Sequence, residues 1–336
     1  GKTKIATLKE AAGGLVSELM NNSKAVVSIG LVPYADYINV GKQYRNEPWL
    51  SIPADKTVQP NPKVCTKKTT KSVCPAGATA PKYACTKYVD GVAEPAQCGG
   101  GCTKPLQTIT VPEYETCSGG GNPTNYTWHG CIGSRKQGKT RLDDLSPKFP
   151  YPGYVETSQR CLNPIVPLVK DKATLLAAIN GMIINVGGYK PYTYIPAGLI
   201  WGQNILSSTE PFAQGAAYDP DNLSPRKVVV LMTDGDNTLR FSPGDGRHSA
   251  LNSNPAAAKV EVGNTNADTA SICEYMKTNK IEIFTVAFMV DNDDAKSLLE
   301  GCASDKDHYY DASDSEKLAA AFSGIAQSLT HVRLAR

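Results

Sequence analysis

Two largely apolar runs in the second half of the chain restrict its fold more than any other feature. They are "KVVVLMT" at residues 227–233 and "IEIFTVAFMV" at residues 281–290. Runs of this length without polar alternation are typical of strands buried on both faces of a sheet. Stretches with helical spacing separate and follow them, so strands alternate with helices. This order predicts an α/β fold with a doubly wound, mostly parallel sheet.

The amino-terminal residues add a helix and a further strand to this pattern. Apolar side chains recur every third or fourth residue over residues 3–21, which predicts an amphipathic helix. The continuous apolar run over residues 25–35 predicts another buried strand. We therefore assign residues 1–45 and 163–336 to one α/β domain.

Residues 46–162 differ in composition, because they are rich in Pro, Gly, Thr and Cys and have no long apolar period. We predict a Cys-rich insertion with little regular structure beyond short hairpins. An even number of cysteines at this density predicts disulfides and an oxidising, periplasmic or extracellular compartment. Since no CxxC pair occurs, the spacing disfavours a zinc site. The cysteines are Cys65, Cys74, Cys85, Cys98, Cys102, Cys117, Cys131, Cys161, Cys273 and Cys302.

Charge and histidine spacing argue against several functions. The net charge of +3 is too small to favour specific nucleic-acid binding or membrane attraction of the whole chain. The four histidines are scattered and match no HExxH pattern, so we predict no catalytic residues and no enzyme activity. A lysine-rich segment with Tyr83 and Tyr88 is either a solvated face or a site for acidic glycans. Its lysines are Lys56, Lys63, Lys67, Lys68, Lys71, Lys82 and Lys87.

Two oxygen-bearing side chains occupy positions where ligands bind in parallel sheets. Asp234 follows the strand "KVVVLMT" directly, and such strand ends face the ligand crevice of open α/β sheets. Thr193 lies in a Gly-rich loop just before a predicted helix. A hydroxyl and a carboxylate on one loop face are hard ligands suited to Mg²⁺ or Mn²⁺. An ordinary Thr-Asp-Gly turn is the alternative interpretation.

Several motifs in order resemble a known family. They are "SIGLVPYADYINVG", "TWHGCIGSRK", "PAGLIWG", "LMTDGDNT", "IEIFTVAF" and the tail that begins "DASDSEKLAAAF". They resemble the von Willebrand factor A (vWA) domain, and more narrowly the C-terminal domain of TadG-type proteins of the tight-adherence (Tad, Flp) pilus. The resemblance implies a non-enzymatic adhesion or assembly module of a bacterial surface. Its partners are then pilus or cell-surface proteins, bound at the loop face.

The family's metal-ion-dependent adhesion site combines a D-x-S-x-S loop with a Thr and an Asp from two further loops. Thr193 and Asp234 match the latter two. The first loop is expected just before the first helix and is not in this sequence, so the resemblance implies a partial site for Mg²⁺, Ca²⁺ or Mn²⁺. A free secreted adhesin that binds an acidic ligand through this metal, completed by a segment upstream of Gly1, is the alternative function.

The spelling D-x-S-x-S does occur once, from Asp311 to Ser315, but at the opposite end of the chain. The resemblance places it on the last strand, far from the missing loop. Ser313 and Glu316 also have the spacing of a capping box, in which each side chain bonds the other's backbone N–H at a helix start. We therefore interpret this segment as a helix cap.

The first strand of the family lies in the centre of the sheet and is likewise missing. Its loss would leave two buried strands with unpaired backbone groups, each costing about 1–3 kcal/mol. We expect an upstream fragment of the same precursor, or a strand donated by another molecule, to fill the sheet. Because the sequence lacks an initiator Met, we also expect a targeting or tethering region ahead of Gly1.

The resemblance also implies two disulfide pairs. They are Cys131 with Cys161, and Cys273 with Cys302. The remaining six cysteines allow 15 pairings, among which the sequence does not choose.

Overall fold

The computed structural model describes residues 2–21, 26–89, 92–145 and 149–331. The chain divides into two compact units. Unit 1 comprises Gly1–Lys56 and Asn125–Arg336, and unit 2 comprises Thr57–Thr124. Of the helices that the structure describes, none has both the length and the apolar character needed to cross a membrane.

The six described α-helices all belong to unit 1. Asn and Asp side chains begin several of them; for example, Asn292 Oδ1 accepts the N–H of Asp294 at 2.8 Å. The helices are α1 (Lys4–Met20), α2 (Lys172–Asn180), α3 (Ile195–Leu206), α4 (Pro255–Thr278), α5 (Asp293–Cys302) and α6 (Ser315–His331).

The described strands are numbered in chain order. They are β1 (Ile29–Leu31), β2 (Ile38–Asn39), β3 (Leu50–Ser51), β4 (Lys56–Val58), β5 (Val64–Val73), β6 (Tyr83–Val89), β7 (Val92–Cys98), β8 (Gln107–Ser118), β9 (Thr124–Ile132), β10 (Tyr151–Glu156), β11 (Val166–Val169), β12 (Val228–Thr233), β13 (Leu239–Phe241), β14 (His248–Ala250), β15 (Glu282–Phe288) and β16 (Tyr309–Ala312).

Strands of unit 1 form several separate sheets. β12, β15 and β16 are parallel neighbours in that order, whereas β1 pairs only with β11, antiparallel. A further sheet has the order β2, β9, β10, β3. Unit 1 is therefore mixed α/β. The sequence predicts a doubly wound sheet that lacks its first central strand, and among the described residues β1 and β12, predicted in one layer, do not pair with each other.

The three-stranded parallel sheet is covered on both faces, which explains why β15 is buried at every residue after Glu282. Phe284, Val286 and Phe288 pack against α6 and α1, through side chains such as Phe322. Ile283 and Ala287 point to the other face, where α3 and α4 supply the covering side chains. Alternate residues of β15 therefore bury apolar area on opposite faces.

Unit 2 contains two antiparallel strand pairs, β5 with β8 and, between them in the chain, the hairpin of β6 and β7. Its disulfides are Cys65–Cys117, Cys74–Cys102 and Cys85–Cys98. The sequence predicts short hairpins and otherwise little regular structure over 46–162, whereas β4 to β10 occupy much of that range. The extent of these strands is not visible in the sequence, because β5 is exposed on nearly every residue and so shows no apolar period.

Two disulfides lie in unit 1. Cys131 bonds Cys161, and Cys273 on α4 bonds Cys302 at the end of α5. These are the two pairs that the family resemblance implies. Since Cys161, Cys273 and Cys302 are buried, these bonds form part of the core.

Candidate functional site, a cavity between two sheets

The position of α3 fixes the relative direction of β1 and β12. At the start of α3, the N–H of Ile195 donates to Asn237 Oδ1 at 2.8 Å, just beyond the end of β12. At its other end, the carbonyl of Leu206 accepts from Lys227 Nζ at 2.8 Å, just before β12. Helix α3 therefore runs antiparallel to β12 along its full length.

The same helix passes β1 in the opposite sense as well. A Cβ atom at Gly30, within β1, would lie 2.6 Å from Ile205 near the end of α3. The Tyr34 ring, after β1, lies against Gly198 near the start of α3, where a Cβ would be 2.7 Å from the ring. β1 and β12 consequently run in the same direction beneath α3.

A cavity of about 1290 Å³ separates these two strands. β12 pairs with β15 along one edge and, in the part of the chain that the structure describes, with no strand along the other. One side chain reaches across, because the Tyr34 hydroxyl donates to the carbonyl of Met232 at 3.0 Å. Burial raises the pKa of Tyr34, so it remains a neutral donor. The open edge of β12 thus presents backbone groups to the cavity.

The walls of the cavity are mostly apolar. Helix α1 covers one face and α3 the other, while the edges of β1 and β12 form the sides. Gly202 of α3 also lines it, and a Cβ there would meet no atom within 4 Å. An extended peptide is the shape that satisfies both an open strand edge and apolar walls above and below it. The wall residues include Ile5, Leu8, Ala12, Leu15, Leu199, Ile205, Val228 and Val230.

Thr193 and Asp234 both line this cavity, at the carboxyl end of β12. Backbone bonds fix the loop of Thr193, whose N–H donates to Thr238 Oγ1 at 2.9 Å. The exposed Asp234 carboxylate lies 3.4 Å from Lys4 Nζ. The structure therefore brings Thr193 and Asp234 to one end of one cavity, as their motif positions suggest.

These two side chains by themselves do not complete a metal site. Mg²⁺ prefers six oxygen ligands, and this pair supplies two. The Lys4 ammonium also lies where it neutralises the Asp234 carboxylate that would attract a cation. A cluster of Cys65, Glu115 and Cys117 in unit 2 offers no thiolate ligands, because its two sulfurs form a disulfide.

The D-x-S-x-S segment from Asp311 to Ser315 has other contacts. None of Asp311, Ser313 and Ser315 lines the cavity with Thr193 and Asp234. Asp311 Oδ2 accepts from Lys296 Nζ at 2.8 Å, and the Ser315 hydroxyl bonds that of Thr7.

The helix cap lies one residue later than the sequence predicts. Helix α6 begins at Ser315, and Asp314 Oδ1 accepts the N–H of Lys317 at 2.9 Å. The prediction that Ser313 and Glu316 form the cap was therefore wrong. The cause is competition between two adjacent acceptors, because the Ser313 hydroxyl donates to Asp314 Oδ2 instead. A carboxylate at this position also interacts favourably with the helix dipole.

A buried contact that the sequence did not predict anchors the loop that carries Thr193. The Tyr189 hydroxyl donates to Asp36 Oδ2 at 2.5 Å, and Asp36 is buried just after β1. Burial raises the pKa of Asp36 to about 6, although the hydrogen bond from Tyr189 lowers it. The only signal in the sequence is an Asp within an apolar stretch, which did not reveal its partner.

His248 lies directly beside this anchor. Its ring stacks on Tyr194 with centroids 3.8 Å apart, and Nδ1 contacts the Asp36 carbonyl. Burial lowers the pKa of His248 to about 4. The loop is thus held by two buried titratable groups, Asp36 with a raised pKa and His248 with a lowered one.

Comparison with known proteins gives matches among solved structures only. No family model and no curated protein sequence matches the chain. The vWF domain of the type V pili tip protein Mfa5 from Porphyromonas gingivalis is 17% identical, with a TM-score of 0.34, over 51% of this chain and 76% of that one. The chain resembles the vWF domain of a pilus tip protein.

Two further similarities have comparable scores. The pilus adhesin SpaC from Lactobacillus rhamnosus GG is 16% identical, with a TM-score of 0.34, over 49% of this chain and 22% of that one. Proximal thread matrix protein 1 from the mussel byssus, with a zinc-occupied MIDAS motif, is 18% identical, with a TM-score of 0.31, over 47% of this chain and 31% of that one. This chain thus spans about a fifth of the length of SpaC.

Proposed function

We propose that this chain is a non-enzymatic adhesion and assembly module of a bacterial surface system of the Tad pilus type. The observation that carries the proposal is the open edge of β12 beside an apolar cavity. Unpaired backbone groups beside apolar walls favour association with another polypeptide by strand addition. The binding face lies at the carboxyl end of β12, where loops meet.

The partner is an extended strand that enters between β1 and β12. Such a strand unites the two sheets into the doubly wound layer expected from the sequence. Its source is an upstream segment of the same precursor or another pilus or cell-surface protein. We further propose that unit 1 and unit 2 are separate domains, and that the protein works outside the cytoplasm, since five disulfides are typical of oxidising compartments.

Hydrogen exchange tests the strand proposal. The probe is a peptide of seven valine and isoleucine residues flanked by lysines, and its control carries proline at the centre. We expect the first peptide to slow exchange of the β12 amides, because its backbone accepts their bonds, whereas proline interrupts the ladder. Equal exchange with both peptides contradicts the proposal.

A second function is a free adhesin that binds an acidic ligand through a divalent metal. The favouring observation is that Thr193 and Asp234 line the same end of the cavity. Calorimetry with Mg²⁺ tests it in the presence of a strand peptide ending in Asp-Gly-Ser-Gly-Ser. We expect binding that Asp234→Ala abolishes and Lys4→Ala strengthens, because Lys4 competes for the carboxylate. An Asp234→Ala variant with unchanged binding contradicts this function.

Unit 2 is proposed to bind acidic glycans through the lysines of β5. Lys67 forms an ion pair with Glu113 at 2.7 Å, whereas Lys68 and Lys71 are exposed on the same strand. The side chains of Lys87 and Tyr88 lie outside the described residues. Retention of the chain on heparin resin should fall with salt and with a double Lys68→Glu, Lys71→Glu change. Retention that changes neither with salt nor with the double substitution favours a merely solvated lysine face.

A further inference from the structure

The loop before β12 is held in one conformation by a single carboxylate. Asp219 Oδ2 accepts the N–H groups of Leu223 and Ser224, each at 2.8 Å, and Oδ1 accepts that of Asp221 at 3.1 Å. These three bonds lower the pKa of Asp219, which keeps it ionised. A charged acceptor of three backbone bonds gives a well-ordered turn.

A second pair of bonds closes the same loop. Asn222 Oδ1 accepts the N–H of Lys227 at 2.7 Å, and Asn222 Nδ2 donates to the Lys227 carbonyl at 3.1 Å. Because Lys227 is the residue before β12, this exchange ties the loop to the strand. The loop therefore has a fixed position at the amino end of β12.

This ordered loop exposes a large apolar side chain at the mouth of the cavity. Leu223 is 75% exposed and lines the cavity. Val26, four residues before Gly30 in β1, is 81% exposed and lines it as well. Since β1 and β12 run in the same direction, both side chains lie at the amino-terminal mouth. Val260, 64% exposed on α4, does not line the cavity.

The charged side chains that line the cavity at this mouth are basic. Lys170 follows β11 at the end where Val169 pairs with Ile29, the first residue of β1. It is exposed, lines the cavity and has no ion pair among the described residues. Arg226 is already engaged, because its guanidinium bonds both oxygens of Glu282 at 2.6 Å. An acidic group on an incoming segment would therefore meet Lys170.

The opposite mouth indicates the source of that segment. Thr3 and Lys4, at the start of α1, line the carboxyl end of the cavity together with Asp234. A strand parallel to β12 would end beside them. A segment of the precursor that precedes Gly1 can therefore fill the cavity and continue into α1 without a long connection.

We propose that Leu223 and Val26 form an anchor for an apolar side chain located just ahead of the inserted strand, with a neighbouring carboxylate facing Lys170. This anchor rests on the strand-binding function proposed above and specifies its occupant, an upstream precursor segment with an acidic and an apolar residue before the strand. The anchor sets the register of the strand, because a shift by one residue would move the apolar side chain away from Leu223.

Two peptides test the anchor by fluorescence titration against the full chain. One is the valine and isoleucine strand peptide, and the other carries Glu-Leu at its amino end. We expect the extended peptide to bind about tenfold more tightly, because a leucine side chain is buried. Leu223→Ala should remove that advantage, whereas the matched control Val260→Ala should retain it.

The outcomes separate the anchor from the strand function. If both peptides bind equally to the unaltered chain, the anchor is overturned and strand binding stands. If neither binds, both proposals fail. Fusing the extended peptide ahead of Gly1 should protect β12 amides, whereas fusing the proline-bearing control peptide at the same place should not. Equal protection by both fusions, or self-association of the unaltered chain that Leu223→Ala abolishes, would overturn the assigned occupant.

Discussion

At the scale of single residues, the anchor of the Thr193 loop is the feature most sensitive to pH. Asp36 is buried with a pKa raised to about 6, and His248 beside it is buried with a pKa lowered to about 4. For Asp36, the stability contribution is present below its unfolded pKa and is lost as pH rises through 6. For His248, the contribution is present above its unfolded pKa of about 6.5 and is lost as pH falls through 4.

These opposite signs lead to a prediction for Asp36→Asn. The variant should gain stability relative to the unaltered chain as pH rises from 4 to 7, by up to about 3 kcal/mol, because it no longer ionises a buried carboxyl. Urea unfolding at several pH values measures the difference. His248→Gln serves as the control and should change the slope in the opposite direction. A pH-independent difference for Asp36→Asn contradicts the buried carboxyl argument.

A second residue-scale prediction concerns the start of α6. Asp314→Ala should lower the free energy of unfolding by about 1 kcal/mol, because the N–H of Lys317 loses its acceptor. Ser313→Ala should change it by less than half as much. Thermal unfolding followed by circular dichroism compares the two. A larger effect of Ser313→Ala than of Asp314→Ala would instead support the capping box expected from the sequence.

At the scale of elements, two glycines of α3 have opposite roles. Gly198 allows close packing of the Tyr34 ring, whereas the space around Gly202 is open to the cavity. Both glycines lie in the interior of a helix. Helix propensity alone therefore favours replacing each of them with alanine by about 1 kcal/mol. Their surroundings, rather than their propensities, therefore decide the effect of substitution.

Gly202→Leu should raise the unfolding free energy of the isolated chain by about 1 kcal/mol or more, because helix propensity and apolar burial both improve. The same change should weaken binding of the valine and isoleucine peptide at least tenfold, because the leucine side chain occupies the space that the peptide's side chains need. Gly198→Ala, in contrast, should destabilise the chain through contact with Tyr34. Chemical unfolding and peptide titration measure both effects. Undiminished peptide affinity in Gly202→Leu would place the peptide elsewhere.

At the scale of the whole molecule, the two units depend on different forces. Unit 1 has an extensive apolar core, whereas Ala78 is the one buried apolar residue among the described side chains of unit 2. Three disulfides join the hairpins of unit 2. A small hairpin unit with so little core depends on such cross-links.

Reduction should therefore affect the units unequally. In the full chain, mild reductant should release the β5–β8 and β6–β7 amides to fast hydrogen exchange, because each lost disulfide costs about 2–5 kcal/mol. The amides of β15, buried in unit 1, should stay protected. Exchange followed by mass spectrometry measures both, and simultaneous loss of protection would show that unit 1 depends equally on its disulfides.

Much of the fold follows from local sequence patterns. The buried strands β12 and β15 and the helices α1 and α6 follow from apolar spacing, because each element's period reflects its own burial. The extent of the strands in unit 2 could not be found in this way, since side chains exposed on both faces leave no period. Thr193 and Asp234 stay a predicted site, suggested by their positions in a loop and at a strand end, whereas no such position marked Asp36.

The sequence by itself determined where β12 and β15 lie, the order in which strands and helices alternate, and that the cysteines would be cross-linked; the family resemblance added the expectation of a missing central strand. Only the tertiary structure decided that the run over 25–35 forms a short strand with an exposed Val26, that Asp36 anchors Tyr189, and that Leu223 is exposed at a cavity mouth. The physical reason is that periodicity records the burial of each residue, whereas strand pairing and polar contacts depend on residues far away in the chain.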